Sequence, residues 1–238
     1  DISLVGIHTA PEVAPDFSGP EAMVRRVCQA VLPAATDGKL VALLGGEHTI
    51  TTGAVQALAQ VHPDLSVLYL DAHADLRDEY MGTQWGHASG ARRIHARCPL
   101  VLVGVRSICE EERDYLRLQS KAPTSQEISA FFWPVDDEGS LARDVVSRLS
   151  DHVYVSVDLD VFDPSFMAAV GTPEPGGMSW NQVTGLLRAV AESRRIVGVD
   201  VCELAPREGP RSCTYTAAKL VYKLIAYARR LPQPAQPH

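Results

Sequence analysis

Cysteine is scarce and unpatterned in this chain of 238 residues. Cys28, Cys98, Cys109, Cys202 and Cys213 are odd in number, widely spaced and without a C-x-x-C pair, which excludes a disulfide framework and a thiolate zinc site. A reducing cytoplasm is the compartment expected. Long apolar runs are missing too: no window approaches the ~18 uninterrupted apolar residues of a membrane span, and no basic-then-apolar leader opens the chain. A soluble protein with no membrane partner is expected. Positive charge is in deficit, with Lys+Arg 22 against Asp+Glu 29 and a net charge of -7. Without a Lys/Arg cluster there is no electrostatic footprint for a phosphate backbone, so nucleic acid is not an expected partner.

What is present is a hydrophobic fraction of 46%, enough for one globular domain over residues 1–238 to bury a core unaided. Runs rich in Val, Leu and Ile at 41–45, 65–70, 100–105, 153–159 and 196–201 have the length of buried strands, apolar on both faces. Between them, 52–61, about 110–119, 140–149, 180–194 and 211–230 read as helices, the last with Ala217, Leu220, Val221, Leu224 and Ile225 at helical spacing. Strands alternating with helices predict an α/β fold with a mostly parallel sheet covered on both faces and a ligand site at the C-terminal strand ends. Segments 76–92 and 162–179 follow strands and contain Gly or Pro, so they are read as site loops. The chain opens on Asp1 and a strand-like Ile2-Ser3-Leu4-Val5-Gly6, which points to an incomplete N-terminus, and 231–238 is expected to fray.

Three of these strands run into metal-ligand chemistry. The first closes in Gly45-Gly46-Glu47-His48, the second in Asp71-Ala72-His73-Ala74-Asp75, and the fourth holds Asp158-Leu159-Asp160. Side-chain alternation along a strand lets Asp71, His73 and Asp75 share one direction, and Asp158 and Asp160 another. A lone D-x-D after a strand is more often a turn, and a lone loop histidine more often a polar residue with no ligand. All three motifs at the strand ends of one sheet leave little room for that reading. Four carboxylates gathered there would repel unless a cation held them. Asp and His without thiolate favour Mn(II) or a similar hard-to-borderline ion, and six ligands suit two ions bridged by shared carboxylates.

Together GGEHTI (45–50), DAHADLRDEY (71–80), WGHASGARR (85–93), SVDLDVFDPSF (156–166), GTPEPGG (171–177) and DVCELAP (200–206) resemble the arginase/agmatinase family, the ureohydrolases. The resemblance implies a three-layer α/β/α fold, two Mn(2+) ions and hydrolysis of a small-molecule guanidino substrate to urea and an amine. It implies that Asp71 and Asp158 bridge the ions, that His48 and Asp75 complete the ligands of the first ion, and that His73 and Asp160 complete those of the second ion. It further implies that His87 relays protons, Glu203 holds the guanidinium, and Asp75 passes a proton to the departing amine. The chain is expected to form a homo-oligomer, a trimer or hexamer as in relatives.

Around His87, residues 82–90 lack the Asn- and Ser-containing pattern by which arginases read the amino-acid end. Agmatine, giving putrescine and urea, is therefore favoured over arginine, with guanidinobutyrate open. Upstream of residue 41 the chain departs from the family, whose members carry an extra strand and a Gly/Arg-Pro-rich segment there. A non-catalytic metal-binding relative, and a dinuclear hydrolase of amide or formimino groups, stand as alternatives. Glycines 171, 176 and 177 shape a loop near the site, and Glu174 within it has no assigned role.

Overall fold

The computed structural model describes residues 4–119 and 126–229. Among them a six-stranded parallel sheet has the order β1-β6-β5-β2-β3-β4. The strands are β1 (Val41–Leu44), β2 (Ser66–Leu70), β3 (Leu100–Val105), β4 (Ile128–Phe132), β5 (His152–Asp158) and β6 (Arg195–Cys202). The helices are α1 (Pro20–Thr36), α2 (Ile50–Leu58), α3 (Gly90–His95), α4 (Glu110–Gln119), α5 (Glu138–Ser147), α6 (Trp180–Ser193) and α7 (Arg211–Ala228).

Alternation along the central strands divides the core into two layers. Leu68 and Leu70 of β2 join Val101, Val155 and Val199 beneath α5, α6 and α7. Val67 and Tyr69 join Leu100, Leu102 and Tyr154 beneath α1, α2 and α3. Burying a residue of this size contributes about 1.5–3 kcal/mol relative to exposure. The sheet is therefore the middle of an α/β/α sandwich, as the alternation of elements predicts. Helix α6 starts where Ser179 and Gln182 form a reciprocal capping box, a device that stabilises by about 1 kcal/mol.

Some expectations are corrected. The 41–45 run is not covered on both faces: β1 is an edge strand and its Leu44 is 72% exposed. Leu4, Val5 and Gly6 form no strand, while Ile2 and Ser3 lie outside the described residues, as do 231–238. Three elements carried too little pattern to be expected. Helix α1 contains Pro33, α3 begins on Gly90 and is one short turn and a half, and β4 is a half-exposed edge.

This order places the C-terminal ends of β1, β6, β5 and β2 side by side. Every residue of the metal-ligand motifs leaves one of those ends or the turn that follows it. Of the two expected site loops, 76–92 carries His87 into a single 3-10 turn (His87–Ser89) before α3. The other, 162–179, returns across the sheet end and bridges Phe162 to Met178 before α6.

Candidate metal centre and active site

Asp71 is the first residue beyond β2, and its two carboxylate oxygens face different histidines. Oδ2 lies 3.1 Å from His48 Nδ1, and Oδ1 lies 3.4 Å from His73 Nδ1. Around His48 Nδ1 stand Asp158 Oδ2 at 3.2 Å and Asp75 Oδ2 at 3.7 Å. Around His73 Nδ1 stands Asp160 Oδ2 at 2.9 Å. The six expected ligand side chains thus converge in two adjoining groups, with the Asp71 carboxylate common to both. His48, Asp71, Asp75, Asp158 and Asp160 are buried, and His73 is partly open.

The local backbone differs from plain strand alternation. Asp75 takes a φ of 53°, and so turns its carboxylate back to the Tyr69 hydroxyl, which donates to Oδ2 at 2.9 Å. Asp160 sits in a 3-10 turn (Leu159–Val161) capped by the Asp158 carboxylate: Asp160 N–H donates to Asp158 Oδ1 at 2.8 Å. Ala72 N–H donates to Asp160 Oδ1 at 3.0 Å, which aims Oδ2 at His73. Ala72 and Ala74 are wholly buried, so the small residues between the ligands pack inward where larger ones would separate the carboxylates.

Glu203 follows β6 with a φ of 63°, a left-handed conformation that a non-glycine residue holds only at a cost. Its amide donates to Gly46 O at 2.8 Å, and its Oε1 accepts from the His48 amide at 2.7 Å. The acid is thereby fixed beside the first group of ligands. His87 is half-exposed, and its Nδ1 lies 3.2 Å from Glu47 Oε1.

The sequence profile of the Arginase family matches residues 1–226. The chain belongs to the arginase family. This arginase-family chain is 35% identical over 232 residues to the N(1)-aminopropylagmatine ureohydrolase of Synechocystis sp., covering 94% of this chain and 73% of that protein. It is 39% identical over 225 residues to the N(1)-aminopropylagmatine ureohydrolase of Thermus thermophilus, covering 93% and 73%. Among solved structures it resembles the agmatine ureohydrolase of Thermoplasma volcanium, with a TM-score of 0.74, 31% identity, and coverage of 90% of this chain and 71% of that one. Membership makes it a metal-dependent ureohydrolase, agmatinase-like in its relatives.

The electrostatics of this arginase-family site fit a cationic occupant. Burial pushes the Asp75 and Asp158 carboxylates well above the usual range, joined by the charge of Asp71 at Asp75 and by the charges of Asp160 and Asp71 at Asp158. Burial and Asp71 raise Asp160 as well. Burial opposes charge on His73, but hydrogen bonds to Asp160 and Asp71 overcome it and raise its pKa to about 11. In the absence of a metal the protein therefore recruits protons to neutralise crowded carboxylates. A hard divalent cation does the same with the Asp and His donors present, while the Cys202 thiol grouped with His48 and Asp200 is held protonated, its pKa raised well above the usual range by burial.

Several residues that shape this site were not legible as functional. Ser156, Asp200 and Tyr154 form a buried chain behind His48: His48 Nε2 lies 2.7 Å from Ser156 Oγ, and Ser156 Oγ–H donates to Asp200 Oδ1 at 2.7 Å. Tyr154 and Thr51 hydroxyls each donate to Asp200 Oδ2 at 2.7 Å. An acid inside the apolar run at 196–201 was the available signal. Glu47, whose hydrogen bond raises the pKa of His87, was visible only as part of the GGEH motif.

Proposed function

We propose that this chain is a dinuclear manganese ureohydrolase whose substrate is agmatine, or agmatine extended by an aminopropyl group. The observation that carries the reading is Asp71 facing both histidines, one carboxylate oxygen to each, within a cluster of four buried aspartates. His48, Asp71, Asp75 and Asp158 would hold one ion, and His73, Asp71, Asp158 and Asp160 the other. Bound there, divalent ions supply Lewis acidity that brings the pKa of water toward neutrality.

The remaining chemistry belongs to side chains. Glu203 accepts the planar guanidinium through its carboxylate, which the His48 amide holds in place. Burial raises the pKa of Glu203, and a cation paired with it favours the charged form. Asp75 would take up the proton given off as water adds to the guanidinium carbon and pass it to the departing amine. His87, with Nδ1 engaged by Glu47, exchanges protons with solvent through Nε2. The aminopropyl form enters because two relatives at 35% and 39% identity are named for it. In the same reading residues 1–238 form one catalytic domain, cytoplasmic and assembled as a trimer or hexamer, which sedimentation velocity reads directly.

The test is urea release after manganese loading, with agmatine, N(1)-aminopropylagmatine, arginine and guanidinobutyrate at equal concentration. Turnover highest on the two amine-tailed compounds is expected. No urea from any of them, with two metals bound per chain, would replace this reading by the non-catalytic relative or the amide-type hydrolase.

A further inference from the structure

One acid beside the two ligand groups has no part in that chemistry. Glu174 lies in the loop 171–177, and its Oε1 is 3.9 Å from His73 Nε2, with the side chain 37% exposed. Its backbone is clamped. Arg106 Nη2 and Nε donate to Glu174 O at 2.7 and 3.2 Å, and Nε also reaches Pro175 O at 3.2 Å. The same guanidinium donates to Asp160 O at 2.7 Å and to Phe162 O and Val161 O at 3.3 Å, so it ties the loop to the turn that carries Asp160.

From the other side Asp163 Oδ2 accepts from Gly176 N–H at 2.8 Å and Gly177 N–H at 3.1 Å. A Cβ at Gly177 would lie 2.5 Å from Phe162 C and 2.6 Å from Asp163 N, so the loop packs at backbone distance. A carboxylate on a backbone held this way loses little freedom when it binds a cation.

The other acids around the site are engaged. Asp71, Asp75, Asp158 and Asp160 face His48 or His73, Glu47 meets His87, and Glu203 accepts from the His48 amide. Glu174 has only His73 within ion-pair range among the described residues, at a separation too long for a hydrogen bond. We propose that Glu174 reads the cationic tail of the substrate, pairing with the alkylammonium at the end remote from the guanidino group. This rests on the ureohydrolase reading and adds to it the feature that separates amine tails from carboxylate or neutral ones. The competing role is that of a positioning residue, which would accept from His73 Nε2–H and orient that ring toward a metal.

The experiment compares manganese-loaded wild type and Glu174→Gln on three substrates of equal chain length: agmatine, guanidinobutyrate and n-butylguanidine. Metal content and the calorimetric affinity for 1,4-diaminobutane are measured on the same samples. A half-exposed charge-assisted contact predicts that kcat/KM on agmatine falls about tenfold, mainly through KM. Activity on butylguanidine stays level, guanidinobutyrate improves, diamine affinity falls about tenfold, and metal content holds. Glu174→Asp should keep part of the preference for agmatine. A uniform loss on all three tails, a drop in bound metal, or an unchanged ratio would overturn the proposal. If wild type releases urea from none, the ureohydrolase reading falls by itself. The diamine affinity then decides separately whether Glu174 is an alkylammonium site.

Discussion

Asp200→Asn is the substitution that most directly probes how His48 is prepared for the metal role proposed for it. Asp200 is fully buried and accepts three hydroxyl hydrogen bonds, from Ser156, Tyr154 and Thr51, each at 2.7 Å. An ionised carboxylate only accepts, so the Ser156 proton points to Asp200. The Ser156 oxygen then accepts from His48 Nε2–H, which turns Nδ1 toward Asp71, Asp75 and Asp158 as the atom a metal would take in exchange for its proton. An asparagine with its oxygen toward Tyr154 and Thr51 presents an amide N–H to Ser156. The serine rotates, donates to His48 Nε2, and moves the ring proton to Nδ1, the atom required for a metal. Each bond to an ionised acceptor contributes about 1.5–3 kcal/mol, so weakening two and reversing one costs about 3 kcal/mol of stability. At a urea m-value of about 3 kcal/mol/M the midpoint falls by about 1 M. Loss of an outer partner of a ligand histidine lowers metal affinity by about 10–100-fold. Urea unfolding of the metal-free protein and manganese titration measure the two effects, and nitrogen NMR of the His48 ring reads the tautomer. Metal affinity within twofold of wild type and an unmoved midpoint would refute the chain of donors drawn through Ser156.

Other outcomes follow from the same geometry. Asp160→Ala should empty the His73 position, and metal analysis showing two ions per chain would remove it from the ligand set. His87→Ala should lower turnover about 100-fold while leaving metal content unchanged, and an unaltered pH-rate profile would end its relay role. The loop around Glu174 should be acid-labile in a defined window. Hydrogen bonds from the Ser165 hydroxyl and amide, aided by the amides of Gly177 and Gly176, lower Asp163 to about 2. Its contribution is full above about pH 4 and lost as the pH falls through about 2, since protonation removes the acceptor. Acid titration of Asp163→Asn, compared with wild type, should show that step only in wild type.

The strands over 41–45, 65–70, 100–105, 153–159 and 196–201 were readable because burial on a parallel sheet demands continuous apolar runs, and all five are strands here within a residue or two. The sheet's edges were less readable. Strand β4 is half-exposed, and β1 leaves alternate side chains open, so neither needs the composition that marks a central strand. Helix α1 hid behind Pro33 although Val24, Val27, Val31 and Ala35 do form its buried face. In the site, His48, Asp71, His73, Asp75, Asp158 and Asp160 could be named together because ligand types recur at strand ends. How they meet could not be derived from alternation: Asp75 needs a positive φ, and Asp160 a 3-10 turn. Arg106 carried no signal at all, since its partners are main-chain carbonyls that any sequence supplies.

That last property has a consequence for how such a protein changes over time. Arg106 grips the 171–177 loop by its carbonyls, and Asp163 by its amides, so neither anchor depends on which side chain stands at position 174. The tip residue works as an exchangeable fitting on a fixed mount. Replacement there alters what the mouth of the site attracts without disturbing the Asp160 turn behind it. One scaffold can therefore diversify its substrates by single substitutions whose structural cost is small, and directed evolution of tail preference should begin at Glu174 while Arg106, Asp163 and Gly177 are held constant.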